Sequence, residues 1–433
     1  MGKHLIVMSV DAMVFEDLAY LKEKPYFRRL MEDGSRVERV RTIYPSLTHP
    51  VHASIMTGCY PDRTGVCNNA YCYPGGKGAW YNALDEVRVP TIFHAAKKAG
   101  LTSCVCRWPM TSGGSDVIDY LVPEITDEIL GEDLAAPYRR QGTREALLQE
   151  IVLPILKSHS PEEPKHPSYD TSQIEMAAEI IRRYRPNLVF THPGQVDHAR
   201  HQNGLFNDRV NAALDLAEEY LGMLMRAAED AGIYEETDFI VLSDHGQMEI
   251  LRKMCPNVLL ADAGFIRTDE AGKLESWDAV VQSSGISAQV RLARPEDEEL
   301  KDRVYQYLLH LKEEGIYGIG QVLTAEEAKT EHHLAGDFSF VLESDGFSSI
   351  GEEWVRPIVR PLDVTDYRYG RATHGHLPCN GPQPPFLCAG PSFKKGVVIK
   401  EGKIVDEAPT MARALGIEMP WTDGDAMEEL LAE

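Results

Sequence analysis

No stretch of this chain approaches the roughly 18 consecutive apolar residues of a membrane-spanning helix, so no membrane partner is expected. A secretory signal pattern is missing too: Met1-Gly-Lys-His4 runs straight into a short apolar segment, Leu5–Val10, with no long apolar core behind it. Cysteine is sparse, 8 in 433 residues, which is too few for a disulfide scaffold. Cys104 and Cys106 lie two apart on one face of an expected strand, too similarly directed for an easy bridge. These absences point to a reducing cytoplasm. Positive charge is also short: 44 Lys and Arg stand against 67 Asp and Glu, a net charge of −23. That sign repels polyanions and argues against nucleic-acid polymers as partners. A small anionic substrate stays open, because a bound metal can invert the local field.

What is present begins with size. At 433 residues and 43% hydrophobic content, the chain is too long for one ordinary core and apolar enough for one large α/β domain with an insertion. Leu5–Val10 reads as a buried strand, Thr91–Ala99 as a helix stopped by Gly100, and Thr102–Cys106 as a strand again. Ser172 with Glu175 forms a capping box for a helix bearing Ile174, Ala177, Ala178 and Ile181 on one face, followed by strand Leu188–Thr191. Val210, Leu214, Ala217, Leu221, Leu224 and Ala228 mark a longer helix closed by Gly232, and Ile240–Leu242 the next strand. From about 257 to 365 the texture changes to charged helical stretches such as 296–314 and alternating segments such as 287–292 and 338–343. This reads as an inserted α+β cap, 257–365, within a core of 1–256 and 366–433. Phe386–Ala389 returns as a core strand, Val397–Ile399 as an edge hairpin and Pro409–Leu415 as a final helix.

Three of the expected strands lead into polar residues: Asp11, the Asp197 region and Asp244-His245. In an open parallel sheet such positions share the ligand-binding crevice, so side chains two hundred residues apart can meet. Asp197 and His201 sit four apart, on one face if helical. With His374 in Thr373-His-Gly-His376, the set holds three carboxylates and three imidazoles, chemistry suited to zinc. Thr48, in Tyr44-Pro-Ser-Leu-Thr-His-Pro-Val-His52, adds a seventh donor. A threonine hydroxyl is a poor nucleophile, and no Ser/His/Asp arrangement supplies a base, so two metal ions would have to activate it. Each residue alone also fits a cap or turn. His192, His198 and His376 compete as ligands, whereas His49, His52, His332 and His333 read as surface or hydrogen-bonded structural residues. Pro50 suits the first turn of a short helix, Val51–Met56, ended by Gly58, which puts Thr48 at a helix N-terminus that attracts phosphate.

Cys59-Tyr-Pro-Asp-Arg63 matches the sulfatase Cys-x-Pro-x-Arg pattern, but Thr48, nine residues before Thr57-Gly58, holds the place of that family's cysteine. The ordered set Tyr-Pro-Ser-Leu-Thr48-His-Pro, Thr57-Gly-Cys-Tyr-Pro61, Gly65-Val-Cys-Asn-Asn69, Arg107-Trp-Pro109, Asp197/His201, Ser243-Asp-His-Gly246 and Thr373-His-Gly375 resembles the alkaline phosphatase superfamily. Within it, the chain resembles the nucleotide pyrophosphatase/phosphodiesterase (type I phosphodiesterase) family. The resemblance implies a three-layer α/β sandwich with a mostly parallel sheet. It implies one zinc at Asp197, His201 and His374, and a second at Asp11, Asp244, His245 and Thr48. It also implies Asn69, with Asn68 as fallback, as the amide on a phosphoryl oxygen. The expected activity is cleavage of small phosphodiesters or pyrophosphates such as nucleotides through a phosphothreonine. The alternatives are a C–P hydrolase similar to phosphonoacetate hydrolase, a phosphomonoesterase, or an inactive metal-binding recognition module. The sequence departs from the family at His49-Pro-Val-His52 and His374-Gly-His-Leu-Pro378, which leaves the substrate open. Trp108, Tyr71, Trp80 and Phe206 are the candidates for a stacking aromatic.

Overall fold

The computed structural model describes residues 2–76, 78–125, 133–159 and 168–432. Its centre is an eight-stranded sheet of β1 (His4–Ser9), β2 (Ser35–Arg41), β3 (Ser103–Cys106), β4 (Tyr120–Val122), β5 (Leu188–Thr191), β6 (Thr237–Leu242), β7 (Phe386–Ala389) and β8 (Val398–Lys403). The spatial order is β8-β2-β7-β6-β1-β5-β3-β4. Only β7 runs against its neighbours. The helices that matter below are α1 (Thr48–Thr57), α2 (Ser168–Tyr184), α3 (Gln195–Asn203), α4 (Asp208–Asp230) and α5 (Glu298–Glu314).

Strand periodicity builds three layers. Along β1, Ile6 and Met8 enter an apolar layer with α2, α3 and α4, while Leu5 and Val7 face the opposite layer with α1 and the helix Glu407–Leu415. Burying both faces explains the unbroken apolar run of a central parallel strand. Each such side chain contributes about 1.5–3 kcal/mol, so β1, wholly buried, tolerates polar substitution poorly. Cys104 and Cys106 share one face with Sγ atoms 3.9 Å apart and both are free thiols. No described helix is long and apolar enough to cross a membrane.

Residues 279–344 build a second, antiparallel sheet in the order Ala279–Ser284, Ser287–Leu292, Phe340–Ser344, Ile319–Thr324. It has its own apolar cluster with α5, including Val280, Val290, Val304, Leu308 and Phe340. Asp297 caps α5 by accepting from the Leu300 N–H at 3.0 Å, and Gly315 ends it at a φ of 69°. Arg252–Met254 pairs with Ser348–Ile350 and Val359–Arg360, so backbone pairing crosses residue 256.

Two local expectations are corrected. Ser172 does not cap a helix: α2 begins at Ser168, and the Ser172 hydroxyl donates back to the Tyr169 carbonyl at 2.9 Å. Glu175, the supposed reciprocal partner, faces His159 instead, at 2.6 Å. The edge segment near 398 is not a hairpin. Both flanks of β7 are taken by β2 and β6, so β8 crosses over and pairs in parallel with β2.

The second sheet meets the core through Tyr44, Cys67, Leu323, Phe338, Val341 and Leu377. Glu343 is buried within this joint, accepting from Tyr44 Oη (3.0 Å), the Leu377 N–H (2.8 Å) and Asn380 Nδ2 (3.1 Å). Burial lifts its carboxyl to about 7, outweighing the three donors that favour its ionised form. A carboxyl raised on folding keeps a proton that the unfolded chain releases, so stability declines as pH rises from about 4.5 to about 7 and then levels. The loss is on the order of 3 kcal/mol. Glu343→Gln is therefore expected to flatten this part of the pH profile, measured as urea midpoints between pH 4 and 8. An unchanged slope would exclude Glu343 as its source.

Candidate metal centre

The chemistry-bearing side chains gather past the carboxyl ends of β1, β5 and β6. Asp11 follows β1, α3 follows β5 with Asp197 and His201 on one face, and Asp244-His245 follows β6. His374 arrives from the loop after Ala372–Thr373, a strand paired with Met248–Glu249. That loop is held tightly against the second sheet. The Ile286 N–H donates to the His374 carbonyl at 3.0 Å, and the Gly375 N–H donates to the Ser46 carbonyl at 2.9 Å. Gly375 has a φ of 89°, and a Cβ there would lie 1.6 Å from the Ser284 carbonyl oxygen, so no other residue fits without moving that strand.

Two clusters result. Potential ligand atoms of Asp197, His201 and His374 lie within 4.8 Å of one another, as do those of Asp11, Asp244 and His245. His201 Nε2 is 3.0 Å from Asp197 Oδ2, and His374 Nε2 is 3.7 Å from Asp197 Oδ1. In the other cluster His245 Nε2 lies 3.2 Å from Asp244 Oδ2 and 3.7 Å from Asp11 Oδ1. The His245 and His374 rings, centroids 4.1 Å apart, join the two.

Their electrostatics suit cations. Asp11 Oδ1 and Asp244 Oδ2 are buried with no hydrogen-bond donor among the described residues, a costly state unless a positive charge faces them. Burial, then Asp197 and Asp244, push the Asp11 carboxyl well above its ordinary range. Burial likewise raises Asp244. Asp197 goes the other way: burial opposes its ionisation, but His201, whose imidazole Asp197 in turn favours charged, outweighs it and holds the carboxyl low. Burial pushes His245 down to about 3 and His374 well below its usual value, which leaves both imidazoles neutral with lone pairs to offer. His201 donates its other ring nitrogen to the Ala372 carbonyl at 2.7 Å, the outer hydrogen bond that orients a ligating imidazole. Two carboxylate-imidazole sets, the second with two orphaned oxygens, fit divalent metal ions of zinc's preferences.

Thr48 joins the second cluster. It is the first residue of α1, with Leu47 in the N-cap position, so its side chain does not cap the helix. Its Oγ1 instead lies 3.3 Å from His245 Nε2. Gly58 closes α1 at a φ of 70°. Asn69 meets the first turn of α1, its Oδ1 accepting from the His49 N–H at 3.0 Å. Asn68 turns away, donating to Ser284 Oγ at 3.0 Å. Thus the structure brings Asp11, Thr48, Asn69, Asp197, His201, Asp244, His245 and His374 together.

The rival histidines fall outside the two clusters. His192 approaches Asp11 at 3.4 Å, but it belongs to neither three-residue group; its ring centroid lies 4.1 Å from that of His52 and its Nδ1 bonds the Ser9 carbonyl. His376 Nδ1 lies near Ser46 Oγ. His52 bonds Ser9 and the Thr48 carbonyl, fixing the first turn of α1 as a structural residue. His49 is not at the surface: it is buried, 3.5 Å from Glu124. Cys59 is buried at the far end of α1, its thiol pushed up to about 11 by burial. Of the aromatic candidates, Trp108 is core beside Phe190, and Phe206 is exposed beneath Arg200. Tyr71 stacks on Tyr81, whereas Trp80 meets both His49 (4.9 Å) and Tyr367 (5.6 Å).

Two neighbours, Tyr367 and Gln247, went unread in the sequence. Tyr367 stacks on His374 and accepts from Asn69 Nδ2 at 3.4 Å. Gln247 donates to Asp197 Oδ1 at 2.6 Å. Arg107 pairs with Asp170 and approaches Glu124 at 3.6 Å. Gln247 was the findable one, two residues past His245. Trp80 and Tyr367 also line a cavity of about 820 Å3 that runs to Gln282 and Trp354.

The family model described as type I phosphodiesterase / nucleotide pyrophosphatase matches residues 5–375. The chain belongs to that family. Rat ectonucleotide pyrophosphatase/phosphodiesterase family member 1 (Rattus norvegicus) is 27% identical over 51% of this chain and 21% of its own length. Venom phosphodiesterase CdcPDE from Crotalus durissus collilineatus is 26% identical over 57% of this chain and 26% of its own. The match thus spans about a quarter or less of these relatives. Among solved structures, human ectonucleotide pyrophosphatase/phosphodiesterase 5 has a TM-score of 0.70 at 18% identity, covering 100% of both chains. An inactive variant of the murine protein in complex with AMP has a TM-score of 0.68 at 18% identity, covering 100% of both chains. These likenesses place the type I phosphodiesterase chain in the alkaline-phosphatase-like sandwich fold. The family is metal dependent, in keeping with the two donor clusters. The names of ecto- and venom enzymes lend the cytoplasmic expectation no support.

Proposed function

We propose that this chain is a two-zinc hydrolase that cleaves phosphodiester or pyrophosphate bonds of small substrates, nucleotides among them, through a covalent phosphothreonine. The observation that carries the reading is Thr48 Oγ1, 3.3 Å from His245 Nε2 at the start of α1, facing the two donor clusters. Zinc ions held by Asp197, His201 and His374 and by Asp11, Asp244, His245 and Thr48 would supply the charge that acidifies the Thr48 hydroxyl and stabilises the leaving oxygen. Thr48 Oγ1 attacks phosphorus in line, forming a Thr48–phosphoryl ester as the leaving alcohol departs. The Thr48 N–H at the start of α1 and the Asn69 Nδ2 amide would face the phosphoryl oxygens, since the His49 N–H is bound to Asn69 Oδ1, Pro50 has none and the Val51 N–H donates to the Leu47 carbonyl. Water then cleaves the ester and restores the hydroxyl.

Phosphoryl charge selects the substrate. An amide suits the single negative charge of a diester, whereas a monoester carries two. Arg107 does not add a second cation there, since its guanidinium is committed to Asp170 and Glu124. The AMP complex of the murine relative supports a small nucleotide as one substrate class. A catalytic core of 1–256 and 366–433 with an inserted cap of 257–365 belongs to the same proposal, supported by the second sheet and its separate apolar cluster.

Zinc-loaded protein is expected to hydrolyse bis-p-nitrophenyl phosphate faster than p-nitrophenyl phosphate, with no release of phosphate from phosphonoacetate. Preferred monoester cleavage would replace the diesterase reading with a phosphomonoesterase, and phosphonoacetate turnover with a C–P hydrolase. Failure on all three would favour the recognition module.

A further inference from the structure

We propose that Arg200 is a positioning residue that fixes the two donor clusters relative to one another, so that neither reaches full metal affinity without it. This rests on the reading of those clusters as metal sites. Arg200 lies on α3 between Asp197 and His201 yet leaves the helix in another direction, and it is 0% exposed. Nη1 donates to the Ala12 carbonyl at 2.5 Å, and Nη2 donates to both carboxylate oxygens of Asp17 at 2.6 and 2.7 Å.

What those acceptors belong to makes the contact informative. Ala12 directly follows Asp11 and sits in the left-handed region at a φ of 57°, uncommon for a residue with a Cβ. Its N–H donates to Asp244 Oδ1 at 3.1 Å. Asp17 Oδ2 also accepts from the Val14 N–H at 2.8 Å, closing the 11–17 loop on itself. One guanidinium therefore joins the helix that carries Asp197 and His201 to the loop that carries Asp11, and through Ala12 to Asp244. Packing alone does not account for it, because an apolar side chain fills a buried site without desolvating two charges. Burial lifts the Asp17 carboxyl above its ordinary range even with Arg200 beside it, so the pair is a poor source of stability. Its planar, two-ended geometry suits it to hold a carbonyl and a carboxylate at once, which a lysine cannot reproduce.

The test titrates the metal-free full chain with zinc against a chromophoric chelator, and counts bound metal after dialysis, for wild type, Arg200→Lys, Arg200→Met and Asp17→Asn. Wild type is expected to hold two ions. Arg200→Lys and Arg200→Met are expected to bind zinc about 10–100-fold more weakly at both clusters, the usual effect of losing an outer partner, with turnover recovered by excess zinc. Asp17→Asn, which leaves the guanidinium but removes its anchor, is expected to shift in the same direction by less. If Arg200→Met does not fold, the other two variants carry the result. A lower melting temperature in chelator with wild-type zinc affinity would overturn the positioning role alone. Wild-type protein that holds no metal would overturn the metal reading and this inference together.

Discussion

Thr48→Ala is expected to lower diester turnover on the order of 10^4-fold or more while leaving the metal content and the fold in place. The size of the kinetic effect follows from the proposed role of Thr48 as the attacking group, which no neighbour replaces: His49 is turned to Glu124, and Ser46 Oγ donates to the His376 carbonyl. Metal retention follows because six donors remain, three in each cluster. The small structural effect follows from the helix terminus. Leu47, not Thr48, is the N-cap residue of α1, and the Thr48 hydroxyl satisfies no backbone N–H there. Alanine at a first helical position is well tolerated, so a stability change below about 1 kcal/mol is expected. Metal analysis, thermal melting and turnover of bis-p-nitrophenyl phosphate on one preparation decide the matter. Full activity in the variant sinks the nucleophile. Loss of both ions would mean that the hydroxyl is a structural ligand first.

The parts of this molecule legible in the sequence are those where local chemistry and tertiary placement agree. β5 and β7 read correctly because parallel or doubly covered strands bury both faces and show as continuous apolar runs between turn formers. α4 shows its apolar stripe at helical spacing and stops near Gly232. The donor clusters were legible because strand ends in a parallel sheet converge, so Asp11, Asp197 and Asp244 had a common destination before any distance was known. What stayed hidden depended on partners far away in the chain. Ser172 looks like a cap, and only the continuation of α2 back to Ser168 denies it that role. The parallel pairing of β8 is set by β2 and β6 already flanking β7, a fact of sheet order with no local signature. Arg200 and Asp17 pair across 183 positions, with nothing local to either that signals the other. Tyr367 reaches Asn69 from a position 298 residues away, a contact with no local signature.

Asp244→Asn is expected to change the sign of its effect with metal, which is the sharpest test of what the crowded carboxylates are for. Asp244 Oδ1 accepts from the Ala12 and His245 N–H groups at 3.1 and 3.0 Å, and an asparagine oxygen can keep both bonds. Oδ2 has no donor and faces His245 and His52. Without a cation, burial lifts this carboxyl above its ordinary value, so the folded chain holds a proton that the unfolded chain gives up. Stability of the metal-free protein therefore falls as pH climbs from about 3.8 through the raised folded value, and the neutral amide removes that loss. In chelator above pH 5, the variant is expected to melt higher than wild type. With zinc the order reverses: one ion of two is lost, the stabilisation that binding gives to the native state shrinks, and turnover drops by roughly 10^3-fold or more. Melting curves of both proteins with and without zinc at pH 5 and pH 8, beside metal counts, read all of this at once. A variant less stable than wild type in both conditions would show that Asp244 is ionised for the fold's own sake rather than held in wait for a cation.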